Sequence, residues 1–300
     1  MNKTNYARIM LITSMMIFGT IGLFVRNIPL RSGEIALYRA CFAALLIGLY
    51  LIVTKQKISF SEIKSSLPIL LISGMAMGIN WILLFEAYKY TTVSVATLSY
   101  YFAPVIVTVV CPILFREKMT AKQWICFIMS TIGLVLITGI GDLSSGNGHL
   151  IGVLFGLGAA FFYASVVLFN KFIKGVDGII RTFLQFLSAI VILVPYVMLT
   201  GGTTIISLSS KGWGFLLIVG LIHTGITYCM YFSSLKELPG QKAAILSYID
   251  PLVAVIVSVV FLSEKITFIQ IIGGLLILGF TLWNEISSGE KNTDKTTNNN

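Results

Sequence analysis

Charge is what this sequence lacks most. Lys, Arg, Asp and Glu make up 11% of its 300 residues, and only 12 residues are acidic. Soluble domains carry roughly 25% charged residues, so less than half of a water-facing surface's usual charge is present. Cysteine is sparse as well. Cys41, Cys111, Cys126 and Cys229 all fall inside apolar runs with no metal-type spacing between them, which speaks against a thiolate metal site or a disulfide framework. The sequence contains no Walker loop, zinc-helix motif or nucleophile elbow. Nucleotide-driven work therefore has no site, and neither catalytic residues, a metal nor a cofactor is expected. The chain does not read as an enzyme.

What it has instead is apolar length. Hydrophobic residues make up 56% of the chain, and the mean hydropathy is +0.92. Apolar runs lie at about 7–25, 33–53, 67–88, 93–115, 122–140, 150–170, 179–200, 212–235, 241–262 and 267–285. Each is near the roughly 20 residues that a helix needs to cross a bilayer. The pattern predicts an all-α polytopic membrane protein of about ten transmembrane helices. The first run follows Lys3 and Arg8 but lacks a small-residue cleavage site, so it reads as a retained helix and not as a signal peptide. The polar segment 287–300 reads as a disordered cytoplasmic tail.

The formal charge of +9 has a membrane explanation. With the N-terminus cytoplasmic, the inside segments hold about three times as many Lys and Arg as the outside loops, which hold Arg26, Arg31, Lys89, Lys211 and Lys265. That is the positive-inside pattern, with both termini cytoplasmic. No basic stripe interleaved with aromatics is present, so nucleic acid is not an expected partner.

One segment occurs twice. Tyr101-Phe102-Ala103-Pro104 leads through an apolar stretch to Glu117-Lys118-Met119-Thr120; Tyr248-Ile249-Asp250-Pro251 leads to Glu264-Lys265-Ile266-Thr267, and both elements are offset by 147 residues. By the charge bias the first copy ends inside and the second outside. Each half then holds about five spans, and the halves are inverted. Inverted repeats enclosing one site are the architecture of alternating access.

Ionisable residues at bilayer depth need a reason. Asp250 lies mid-span before Pro251 and reads either as a proton or cation site or as a carboxyl bonded to a neighbouring helix; Ala103 at the matching position shows that the scaffold does not require the acid. His223 reads as a proton relay or as a buried, hydrogen-bonded histidine. Arg39 reads either as a structural residue that snorkels toward the outer end of its span, with Glu34 close enough to pair with it, or as a binder of an anionic substrate; Glu86 is expected to face an aqueous entrance. Aromatic and polar residues at matching helical positions, Phe18, Asn80, Trp81, Tyr101, Tyr163, Tyr228 and Tyr248, are the candidate walls of a substrate cavity, against the alternative that they are packing or interface anchors. Pro104 and Pro251 are candidate helix breaks, and Glu117 and Glu264 candidate gating groups at span ends. Gly133, Gly139, Gly273, Gly274 and Gly279 suit close packing of the fifth and tenth spans.

The doubled Tyr-x-x-Pro and Glu-Lys-x-Thr elements, with Arg39 in the second span and Gln185 in the seventh, resemble the EamA family of the drug/metabolite transporter superfamily. The resemblance implies one repeat over 1–145 and an inverted one over 146–286. It implies a secondary carrier in the cell membrane, bacterial inner membrane by expectation, monomeric or homodimeric. Such a carrier exports a small organic metabolite (amino acid-like, aromatic or cationic), with protons as the candidate coupling ion. A flippase for a lipid-linked intermediate is the alternative. Phe18 and Tyr163 stand where this family often has Trp, so substrate contacts do not carry over there.

Overall fold

The computed structural model describes residues 3–55, 60–115, 119–138, 146–173, 175–238 and 240–297. They form α1 (Lys3–Gly19), α2 (Ile21–Arg26), α3 (Ser32–Val53), α4 (Phe60–Tyr90), α5 (Val93–Tyr100), α6 (Ala103–Phe115) and α7 (Ala121–Thr138), followed by α8 (Gly146–Asn170), α9 (Gly178–Leu199), α10 (Ser210–Leu217), α11 (Thr227–Leu235), α12 (Gly240–Ser247), α13 (Ile249–Leu262) and α14 (Phe268–Thr297). A π-helical stretch, Ile218–Ile226, joins α10 to α11. The protein is an all-α polytopic membrane protein.

Among the described residues nine spans are long and apolar enough to cross a bilayer, and Phe268–Asn284 is a shorter apolar helix. At 1.5 Å per residue this last helix is roughly 26 Å long, slightly less than the ~30 Å hydrocarbon core. The third span is longer than expected. Pro68 lies two turns into α4 without ending it, and the polar turns from Phe60 extend the helix beyond its apolar part. At the C-terminal end α14 is described through Thr297.

Large apolar side chains face outward, among them Leu45, Leu49, Ile52, Val191, Leu199, Val260 and Phe261. Water would penalise this band, but lipid tails accept it. Association between the helices then rests on van der Waals fit and interhelical hydrogen bonds, because burial from lipid gives little drive. The α7–α14 contact shows the fit. A Cβ on Gly133 would meet the Gly273 carbonyl oxygen at 2.6 Å and the Leu276 Cβ at 2.9 Å, so only glycine permits this approach. Gly139 lies outside the described residues.

Two spans are broken at the same relative place. α5 stops at Tyr100 and α6 starts at Ala103; α12 stops at Ser247 and α13 starts at Ile249. Pro104 and Pro251 each sit in the first turn of the second half-helix. There the missing N–H removes no intrahelical bond, although a continuous helix would lose one.

The bundle has two distinct ends. At the near end, where α1 begins, Ala7, Leu11 and Met15 pack against Leu238 and Ala243, and Asp177 pairs with Lys236 at 2.8 Å. α8 begins at the far end, where His149 bonds the Thr91 hydroxyl at 2.8 Å. Asp177 also accepts from the Ile179 N–H as the N-cap of α9. Partial burial pushes its carboxyl up, but the Lys236 ammonium and the Ile179 N–H outweigh that and hold it below the ordinary carboxylate range.

Two outcomes follow from this packing. Gly133→Val forces the α7 and α14 backbones apart and lowers stability by about 1–3 kcal/mol, the usual cost of overpacking, read as a lower midpoint of thermal unfolding in detergent. Asp177→Ala removes a cap worth about 1 kcal/mol. Because its folded-state pKa is depressed, the wild-type contribution is present above the unfolded carboxylate value and is lost as pH falls through the folded one. The difference between wild type and variant therefore shrinks in acid.

Candidate functional site

The two helix breaks meet at the centre of the bundle. Tyr101 follows the last residue of α5, and its hydroxyl donates to Asp250 Oδ2, in the first turn of α13, at 2.6 Å. This is a short O–H···O bond. The N-terminal dipole of α13 adds favourable potential at the carboxylate. Among the described residues Asp250 has no cationic partner within ion-pair distance.

Beside this bond lies a cavity of about 510 Å³, within the usual range for small-ligand sites. Phe18, Asn80, Trp81, Tyr101, Tyr163, Tyr228 and Tyr248 all line it, together with Asp250, Arg39 and Pro104. The aromatic wall is continuous. Phe18 meets Tyr228 edge-on at 5.2 Å, Tyr228 meets Phe186 at 5.3 Å, and Phe186 meets Trp81 at 5.3 Å. On the other side Tyr100 lies 5.3 Å from Tyr163. Tyr163 is 40% exposed although it lies within the span, which reflects the open volume in front of it. Asn80 is committed to packing: its amide donates to the Ala159 carbonyl at 2.6 Å.

Arg39 does not snorkel. It is 3% exposed, with its guanidinium 4.4 Å from the Trp81 ring centroid and 5.2 Å from that of Phe85. Its Nε donates to the Thr224 hydroxyl at 3.0 Å. Glu34 does not pair with it, because the carboxylate turns to the Thr204 hydroxyl at 3.1 Å and to the Thr204 N–H. His223 is also away from the cavity: its Nε2 bonds the Thr20 hydroxyl at 2.8 Å where α1 gives way to α2, and Phe24 covers its ring at 4.8 Å. The π-helical turn offsets the i, i+4 register expected of a regular helix there. Glu86 faces a second hollow lined by Tyr90, Phe155 and Tyr196, and pairs with Lys89 at 3.3 Å.

Several lining residues lay outside the sequence expectations. Arg181, Thr182, Asn170, Tyr231 and Ser247 contribute to the wall. Arg181 reads from sequence as one more positive charge near a span end, but the first turn of α9 directs it inward. Gln185, flagged only by family pattern, donates to Ser73 Oγ at 2.6 Å and to Asn170 Oδ1 at 2.9 Å.

The far end is closed over the cavity. Glu264 pairs with Arg26 and accepts from the Val93 N–H at 2.9 Å and the Ser94 N–H at 3.4 Å, tying the end of α13 to α2 and to the start of α5. Ser94 bonds Ser258 just beneath. Arg31 reaches the Thr200 and Gly201 carbonyls, and Tyr38 bonds Thr203. Glu117, the matching acid of the first repeat, lies outside the described residues. Pro251 is buried in the helix turn and does not line the cavity.

This arrangement agrees with what the chain resembles. An uncharacterized transporter of Bacillus subtilis (strain 168), YxxF, is 31% identical over 276 residues, covering 90% of this chain and 86% of the relative. An uncharacterized transporter of Archaeoglobus fulgidus is 25% identical over 287 residues, covering 93% and 97%. One crystal structure superposes with a TM-score of 0.64 over 92% of this chain and 96% of its own, at 14% identity, which speaks to the fold alone. The model of the EamA-like transporter family matches twice, at residues 5–139 and 150–284, each match spanning one of the two broken helices. A twofold match over most of the length, centred on a cavity between the two breaks, shows that the chain belongs to the EamA-like transporter family.

Proposed function

We propose that the protein is a secondary carrier that exports a small organic metabolite by alternating access, with transport coupled to the protonation of Asp250. The observation that carries this reading is the Tyr101–Asp250 hydrogen bond, which joins the two helix breaks beside the cavity. A carboxyl at bilayer depth is costly when charged, so its protonation state and the contact between the repeats are coupled. With Asp250 ionised, the bond is charge-assisted and holds the α5–α6 and α12–α13 junctions together. With Asp250 protonated, that bond weakens and the junctions are freer to separate. No step in this cycle makes or breaks a covalent bond in the solute, so a carrier and not an enzyme is the reading.

The relatives' designation as transporters supports the class. The distribution of Lys and Arg supports cytoplasmic termini and inverted halves. In that orientation the closed far end faces outward and the cavity is served from the cytoplasm, the loading side for an exporter. Opening to the outside then requires the Glu264 contacts with Arg26 and the α5 amides to break.

Two experiments test the reading. A solute is first found by thermal-shift screening of the purified protein against metabolite mixtures, since binding to the folded state raises its stability. In proteoliposomes Asp250→Asn is expected to abolish flux driven by a pH gradient while solute exchange without a gradient continues; unchanged pH-driven flux removes Asp250 from the coupling. Glu264→Gln weakens the far-end closure, so a cysteine placed at Thr97 in a chain without its native cysteines reacts faster with an impermeant thiol reagent added outside. An unaltered labelling rate argues against Glu264 as a gate.

A further inference from the structure

We infer that the solute is an organic acid with a planar ring, its carboxylate taken first by Arg181 and then by Arg39; this rests on the transport reading above and narrows its cargo. Two guanidinium groups line the cavity, against a single carboxylate, Asp250. Neither arginine has an acidic residue within ion-pair distance among the described residues. Arg39 is fully enclosed yet spends one donor on Thr224 and its flat faces on Trp81 and Phe85. Arg181 Nε is buried with no hydrogen-bond partner among the described residues.

A buried cation such as Arg39 without a counter-charge is destabilising unless something supplies one. Asp250 is already engaged by Tyr101. The cavity is therefore net positive whether Asp250 is ionised or protonated. A cationic solute would add to that charge, whereas an anion offsets it. The planar guanidinium fork matches a carboxylate's two oxygens. The aromatic faces of Tyr100, Tyr163 and Tyr228 then receive a flat apolar body. Arg181, at the start of α9, stands at the near-end mouth, and Arg39 lies deeper, so the two form an entrance site and an inner site for the same charge.

Three probes that share one ring and differ only in charge test this: 4-hydroxyphenylacetate, its neutral amide and tyramine. Their binding to the intact purified protein is measured by thermal shift over a concentration series. The carboxylate is expected to stabilise the protein, and the amide and amine to do so at least about tenfold more weakly, the equivalent of one charge-assisted hydrogen bond. Arg181→Gln, at a partly exposed position with little risk to folding, should weaken carboxylate binding by a similar factor without improving amine binding. Arg39→Lys keeps the charge but loses the fork, and should also weaken it. Equal or stronger stabilisation by tyramine overturns the inference while leaving the carrier reading intact. So does carboxylate binding that neither substitution changes. Stabilisation by none of the three overturns the ring-acid assignment, and the carrier reading is judged separately by the Asp250→Asn flux experiment.

Discussion

In hydrocarbon every backbone N–H and C=O must find a partner inside the protein, because lipid offers none. A transmembrane helix can be interrupted only where the freed groups are enclosed by protein or face a polar cavity. This chain interrupts its fourth and ninth spans near mid-depth, at Tyr101–Phe102 and at Tyr248. The location of the cavity follows from that constraint. The junctions also bring side chains to the centre that a continuous helix would direct along its own flank. Tyr101 reaches Asp250 because one stands at the end of a half-helix and the other at the beginning of its counterpart.

The two repeats share a scaffold but not a charge. Ala103 and Asp250 occupy equivalent positions, and each is followed by a proline in the first turn of a half-helix. Only the second repeat carries an acid there, so the potential at the cavity is set by one repeat and read by the other through Tyr101. At the far end Glu264 uses its carboxylate on the amides at the start of α5, also a contact between repeats and not within one. Both of these acids bridge the halves. In a bundle whose helices gain little from leaving lipid, such polar bridges have an unusually large share in deciding how the halves sit together.

The fold was legible because it is written in composition and repetition. Ten apolar runs and a motif repeated at a fixed offset of 147 residues locate the spans and the breaks with few alternatives. The seven aromatic and polar residues chosen from matching helical faces all line one cavity, since a period of 3.6 residues fixes a face once the helix is known. What escaped was rotation and local irregularity. His223 lies in a π-helical stretch and turns to the Thr20 hydroxyl, away from the cavity. Arg39 has the flexible stem of a snorkelling residue, and only the positions of Trp81 and Phe85, on the next span, show that it turns inward. Arg181 was hidden by its position near a span end, where a basic residue is ordinary.

These displaced arginines alter the meaning of the acid. Taken alone, a mid-span carboxyl suggests a site for cations. Set in a cavity with two guanidinium groups, Asp250 is the minority charge, and its ionisation changes the size of a positive potential without reversing its sign. Protonation of Asp250 would strengthen the hold on an anion at Arg39 and Arg181, and loss of that proton would weaken it. Solute and proton would then favour each other's binding in one conformation. Linkage between two ligands is reciprocal, so a solute that binds more tightly to the protonated carrier must in turn raise its affinity for the proton. On this argument the asymmetry between Ala103 and Asp250 does more than locate a coupling group. Together with the unpaired arginines it predicts the sign of the coupling, which a carrier of cations built on the same two helix breaks would reverse.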